Sequence, residues 1–304
     1  MENQNLFKYA NRTIEEFHID TENVYSYWHE TFKKFFRSKM ATVLSIGVVG
    51  LLIFTIVYTL FSSTDPYAKS KMILDWNQPA SSEHWFGTDH LGRDIFARTW
   101  YGVKTSLLLS LTVGCIDMFF GVITGLFWGY VRKADRFMTE LYNIISNIPR
   151  TIILILLSYL LSPGFSTIVL GLCLTGWIKV ARFIRNKVFT IRDAEYNIAS
   201  RSLGTQTNKI MFKNILPFLV SIIILETAIT VPYTIGSEVF LGYIGLGLPQ
   251  STISLGTLVQ SGISSFQAYP SQLVYPTVIL SFITVSFYLL GNKLSDVSEP
   301  KNYE

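Results

Sequence analysis

Charge is scarce in this sequence. Asp, Glu, Lys and Arg make up 15% of its 304 residues, while 49% are hydrophobic and bunched into long runs; soluble domains carry about 25% charged residues. That balance excludes disorder and a collagenous repeat. Cysteine is almost absent: Cys115 and Cys173 both sit in apolar runs, which excludes a disulfide-stapled fold and leaves them as small buried hydrophobes. Missing too are a G-x-x-x-x-G-K-[ST] phosphate loop, an H-E-x-x-H pair and a G-x-S-x-G elbow, so nothing in the chain reads as catalytic. A cleavable signal peptide is not expected, because the first forty residues are charged and the first apolar run begins at Ala41. The chain reads as an all-α integral membrane protein.

Spanning helices need about 20 mostly apolar residues. Six runs qualify: Ala41–Phe61, Thr105–Val131, Leu141–Leu161, Thr167–Ile184, Phe218–Leu241 and Gln272–Gly291. An even number puts both termini on one side. Nineteen of the 25 Lys and Arg residues are assigned to that side, in the N-terminal tail, after the second run, from Lys179 near the inner end of the fourth run to Lys213, and after the last run. Five fall on the other side, Arg150 lies inside a span, and none occurs from Asn214 to Asn292. The positive-inside rule therefore makes both termini cytoplasmic. The expected plan is a cytoplasmic tail over residues 1–40, a first span over 41–61 and an extracellular loop over 62–104. A five-helix core over 105–291 and a cytoplasmic tail over 292–304 complete it. The formal charge of +4 thus reflects topology and calls for no nucleic-acid partner.

The cytoplasmic segment 187–217 is the richest in signals. Thr190-x-x-Asp193 has capping-box spacing, predicting a helix that starts near Asp193. Ala194 with Ile198, and Ala199 with Leu203, form a short apolar face, and Gly204 fits a left-handed cap. A second helical stretch is expected up to Leu216, with Pro217 opening the fifth span. Ala199, Ser200 and Gly204 are small enough for another surface to approach closely. From the residues alone, a docking helix and an ordinary connection both fit.

Glu195-Tyr196-x-x-Ala199-Ser200-x-x-x-Gly204, followed by Ile210 and Ile215-Leu216-Pro217, resembles the EAA loop of ABC importer permeases. Ile198 stands where that motif usually has Glu, and Ser200 replaces its second Ala. His84-x-x-Gly87-Thr88-Asp89-x-x-Gly92-Arg93-Asp94, and Glu238-Val239-Phe240-Leu241-Gly242-Tyr243-Ile244-Gly245-Leu246-Gly247, are similar to stretches of the peptide-transporting branch. The resemblance runs in order from Glu83 to Lys293. It is nearest to the second permease subunit type of oligopeptide importers in Gram-positive bacteria.

That resemblance implies a six-helix permease in a bacterial cell membrane. It implies assembly with a homologous permease, two ATPase subunits and an extracellular substrate-binding lipoprotein. ATP and Mg would be held by the ATPases, with no cofactor in this chain. It also implies a coupling role for Arg192, Asp193, Glu195, Tyr196, Ala199, Ser200 and Gly204. Dipeptide, nickel and metallophore importers share these motifs and remain alternatives. A secondary transporter or channel would need internal repeats and its own coupling residues, and a membrane scaffold would leave the loop unexplained.

Ionisable residues inside spans default to a functional hypothesis, which singles out Asp117, Arg150, Glu226 and Glu238 for the translocation pathway. Arg150 follows Pro149, where a kink frees carbonyls for it, or it pairs with an acid. Two readings fit Glu238: lining the outer end of the pathway, or bonding to the Gly-rich turn after it. His84, Asp89, His90 and Asp94 are metal-capable, but Gly87 and Gly92 mark their segment as a structural loop. Gly121-x-x-x-Gly125-x-x-x-Gly129 predicts a helix-packing seam, within the chain or against another permease. Trp100, Tyr101, Trp128 and Tyr130 fall where interfacial aromatic belts lie.

Overall fold

The computed structural model describes residues 27–298. Lys8, Arg12 and Lys301, counted above among the charges that set the topology, lie outside the described residues. Among the described residues the regular elements are helices, with one isolated bridge between Thr88 and Asp94. An amphipathic α1 (Tyr27–Arg37) leads into α2 (Lys39–Phe61). Along α2, Val43, Ile46, Val49, Ile53 and Leu60 are all exposed, a surface that lipid or another spanning chain would cover.

The second span, α3 (Ile95–Tyr130), has 36 residues and so runs about 54 Å at 1.5 Å per residue. It starts ten residues before the expected Thr105, which shortens the preceding loop. Asp94 sets the start by accepting a 2.7 Å bond from the Ala97 N–H, the ordinary work of an N-cap. Arg98 is hidden inside, 2% exposed, and donates to the Pro66 carbonyl. Hydropathy missed these first turns because Arg98 and Lys104 interrupt them.

The third span is broken, which corrects the expected continuous run Leu141–Leu161. Helix α4 (Arg132–Ser146) and helix α5 (Arg150–Leu161) meet at 72°. Pro149 lacks an N–H and pushes Ile148 out of helical geometry. Helix α6 (Phe165–Ile191) follows, then the short α7 (Glu195–Ser202). From α8 (Thr207–Lys209) the chain stays helical through a π turn (Ile210–Ile215) and a 3-10 turn (Leu216–Leu219) into α9 (Val220–Tyr243). Helix α10 (Leu255–Ser265) and the last span α11 (Ser271–Val297) complete the fold. Five stretches are long and apolar enough to span a membrane, and the α4–α5 pair makes six if its halves count as one span.

The core is the contact of α3 with α6, and its seam lies within the chain. A β-carbon at Gly121 would sit 2.6 Å from Val180 Cβ, one at Gly125 2.7 Å from the Ala181 carbonyl oxygen, and one at Gly129 2.6 Å from Val188 Cβ. Lipid supplies little drive for helices to associate, so close backbone approach and dispersion carry the pairing. Leu109 and Val113 of α3, Leu154 of α5, and Ile168 and Leu172 of α6 fill one end; Leu126, Ile184, Val188 and Ile215 fill the other. Trp128 is wholly buried rather than interfacial, its Nε1 donating to Asp135 at 3.0 Å. Cys115 is exposed and Cys173 half-buried, so the expectation that both are buried fails.

The segment before α3 is a structural loop. Asp89 accepts from the Leu91 and Arg93 N–H groups and pairs with the Arg93 guanidinium at 2.7 Å. Asp94 adds a 2.7 Å contact with His84 Nδ1 to its capping role. Gly87 and Gly92 take φ of 77° and 71°, the left-handed region open to glycine. Gln272, at the start of α11, donates to Asn77 and to the Thr88 carbonyl, tying the loop to the last span.

Candidate coupling loop and intramembrane polar residues

Between α6 and α9 the chain turns out of the helical bundle and back. The expected capping box is not formed: Thr190 Oγ1 donates to the Lys187 carbonyl, and Asp193 faces cations instead. Helix α7 therefore starts at Glu195, two residues after the predicted start, with Ala194 as an N-cap that makes no side-chain bond. Its other end is as predicted. Gly204 has φ of 78°, its N–H donates to the Arg201 carbonyl and the Thr205 N–H to the Ser200 carbonyl, which together are a Schellman closure.

Asp193 is the hub of this loop. Its carboxylate receives Arg201 at 3.2 Å, Arg192 at 3.2 Å and Arg132 at 3.3 Å. The hydrogen bond from Arg201, with Arg192 and Arg132 behind it, holds the carboxyl below its usual range. Arg192 is buried, donates to the Gly129 carbonyl at 2.8 Å and lies 3.9 Å over the Phe189 ring. Arg201 donates to the Arg192 carbonyl at 2.8 Å. Through these bonds the root of α7 is fastened to the ends of α3 and α6 and the start of α4.

One face of α7 is fixed to the protein and the other is free. Asn197 is fully buried, donates to the Ile191 carbonyl and accepts from Asn214, which also donates to Ser200 Oγ. Tyr196 stacks on Phe218 with ring centroids 6.0 Å apart, and burial raises its phenol pKa. Glu195, Ile198, Ala199 and Leu203 face outward, with Ile198 49% and Leu203 86% exposed. The predicted apolar face thus points away from the subunit.

The four intramembrane ionisable residues separate into two kinds. Glu238 is 1% exposed; Ser106 Oγ donates to it at 2.7 Å and accepts from the Leu255 N–H at 3.1 Å. Neither sequence reading of Glu238 named this partner: the carboxylate faces α3 and the start of α10 rather than an open surface or the Gly-rich turn. Asp117 is also buried, its carboxylate filling the space where Gly176 of α6 lacks a side chain. Neither side chain lines an open surface. Glu226 and Arg150 remain half-buried. Arg150 donates to the Thr175 carbonyl at 3.0 Å and lies 5.0 Å from the centre of the Tyr233 ring; the carbonyl comes from the intact α6, not from the kink.

Asn197, Asn214, Arg132, Ser106 and Tyr233 were not singled out in the sequence. Arg132 and Arg201 count there only as topology charges, and an Asn or Ser inside a helix carries no signal of its partner.

Comparison with known proteins adds the family. Residues 119–302 match the family described as binding-protein-dependent transport system inner membrane component, and residues 26–80 match the N-terminal TM domain of oligopeptide transport permease C. The oligopeptide transport system permease protein AmiD of Streptococcus pneumoniae is 38% identical, with 92% of this chain and 91% of that protein covered. The oligopeptide transport system permease protein OppC of Bacillus subtilis is 33% identical over 98% of this chain and 97% of its own. The dipeptide transport system permease protein DppC of Bacillus subtilis is 34% identical over 91% and 86%. Among solved structures, an inward-facing form of the MetNI methionine ABC transporter aligns with a TM-score of 0.55 at 21% identity. It covers 65% of this chain and 94% of that one, a likeness of fold.

Proposed function

The chain belongs to the family of binding-protein-dependent transport system inner membrane components, the non-catalytic, multi-pass permease subunits of ABC importers, and from that premise we propose that its cargo is oligopeptides. The partners are an ATPase and a substrate-binding protein in general terms. In the proposed assembly they are two ATPase subunits carrying ATP and Mg, a homologous permease and an extracellular lipoprotein. The setting is the cell membrane of a Gram-positive bacterium, with lipid around the apolar spans and both termini in the cytoplasm.

The observation that carries the mechanism is α7, whose exposed Ile198 and Leu203 are backed by the Asp193 cluster and by Asn197. We assign Arg192 and Asp193 to bracing, and Glu195, Tyr196, Ala199, Ser200 and Gly204 to seating α7 on an ATPase subunit. When the ATPases close, a push on α7 passes through Asp193 to Arg132 and through Arg192 to Gly129, so the broken third span and the α3–α6 pair move together. Rigid elements with two discrete arrangements are what such an alternating cycle needs. Of the four intramembrane residues, we assign Arg150 and Glu226 to the pathway, and Asp117 and Glu238 to holding the spans that form it.

Deleting the gene and measuring uptake of labelled oligopeptides, dipeptides and nickel, with the gene restored in trans, tests the cargo. Loss of oligopeptide uptake alone supports the reading. Loss of dipeptide uptake alone moves the protein to the sister type, which the 34% identity to a dipeptide permease keeps in view.

A further inference from the structure

A cavity of about 290 Å³ opens at the break between α4 and α5, walled by Ser146, Pro149, Arg150, Thr175, Lys179 and Tyr233. Thr175 and Lys179 lie 10 and 14 residues into the 27-residue α6, about 15 and 21 Å along a helix about 40 Å long. The cavity therefore lies about halfway along α6, so Lys179, counted from the sequence among the cytoplasmic charges, stands within the span, where a charge without a purpose is costly. Two cations face it, and among the described residues no carboxylate lies within ion-pair distance of either. Counting Asp117 behind Gly176 as one negative charge, the group still has a net positive charge.

Arg150 is held but not used up. Nη2 is bound to the Thr175 carbonyl and the guanidinium carbon lies 5.0 Å from the Tyr233 ring centre, yet Nε is buried without an acceptor. A guanidinium has five N–H donors in a fixed fork that suits a carboxylate. The first turn of α5 supplies the rest: Pro149 and Arg150 open that helix and form part of the wall, so its positive dipole end meets the cavity. A broken membrane helix with its N-terminal end beside a cation is a physical arrangement for holding an anionic cargo group.

We propose that this cavity receives the C-terminal carboxylate of the peptide during translocation, with Arg150 as its ligand and Lys179 as a second cation. The proposal rests on the oligopeptide reading above and names the part of the cargo this subunit contacts. Side-chain carboxylates share the chemistry, so the test separates them.

The reconstituted importer in proteoliposomes, supplied with ATP, is given three peptides of one length: a neutral peptide acid, its C-terminal amide, and that amide with an internal Glu. Initial rates give an acid-to-amide ratio for wild type, Arg150→Gln and Lys179→Gln. The substrate-binding protein is common to all, so its preference cancels between variants, and a ratio is insensitive to the amount of complex assembled. The expected result is a ratio lowered about tenfold by Arg150→Gln, as loss of a charge-assisted bond implies, and lowered less by Lys179→Gln. An unchanged ratio in the variants overturns the site, and so does a drop confined to the Glu-containing amide. Should Arg150→Gln not assemble, the exposed Lys179 decides by the same ratio. Failure of the wild type to carry any of the three peptides is a different result, and sinks the oligopeptide reading itself.

Discussion

Ser106 and Glu238, 132 residues apart in sequence, meet in a buried 2.7 Å hydrogen bond that joins α3 to α9, and the same hydroxyl accepts from the first N–H of α10. A β-carbon at Gly256 would stand 2.8 Å from the carboxylate, so the close approach depends on that glycine. The arrangement makes Glu238 a clamp between two spans and the short helix between the fifth and sixth.

A clamp is sensitive to its partner. Ser106→Ala removes a donor from a buried carboxylate, at a cost of about 1–3 kcal/mol, whereas Glu238→Gln keeps an acceptor for the hydroxyl. Thermal unfolding of the purified importer should therefore show a larger drop for Ser106→Ala than for Glu238→Gln. The reverse order would mean that charge at Glu238, not the bond, is what matters.

The α3–α6 seam gives a prediction of opposite character, since added volume is the injury. Gly125→Val places branches against the Ala181 carbonyl and Ile184; overpacking costs about 1–3 kcal/mol and should lower the level of intact protein in the membrane. Gly50→Ala is the control, because nothing lies within 4 Å of its would-be β-carbon. Equal levels of the two variants would show that the helices part without loss.

The seam was legible in the sequence because three glycines at four-residue spacing have few other uses in a span. Five of the six expected spans were legible because lipid demands about 20 apolar residues each time, and the sixth is the bent α4–α5 pair. The break at Pro149 had a visible proline but no visible 72° bend, since the angle is set by what α4 and α5 pack on. Trp128 was misread because an aromatic at a span end looks interfacial, and Asp135, which takes its N–H, sits beyond the end of the span. The loop motif pointed to α7, and Gly204 gave its end. Its start was hidden, since Asp193 has the composition of a capping acid but three arginines compete for it.

That competition has a pH signature. The folded carboxyl of Asp193 lies below its ordinary value, so the brace is complete above the unfolded value of about 4 and is lost as pH falls through the folded one. Hydrogen exchange in residues 195–202, compared between wild type and Asp193→Asn at matched pH, should be faster in the variant by a constant factor from pH 8 to 5. The gap should close only in stronger acid. A gap that narrows between pH 8 and 6 would implicate a different group.

Gly204 separates coupling from folding most cleanly. Its φ of 78° costs an L-residue about 1–2 kcal/mol, Asn less than others, and nothing lies within 4 Å of its would-be β-carbon. The strain is thus local to the end of α7, where the Ser200 and Arg201 carbonyls are closed off. Gly204→Val should leave the protein in the membrane and the spans packed, while displacing the exposed Leu203 beside it and cutting ATP-driven uptake about tenfold, as a 1–2 kcal/mol displacement implies. Gly204→Asn should retain most of the uptake, because Asn tolerates this backbone. Membrane level by immunoblot and initial uptake rate, measured on the same vesicles, distinguish the cases. If Val and Asn are equally active, the left-handed end of α7 has no part in coupling, and the motor's push must enter elsewhere.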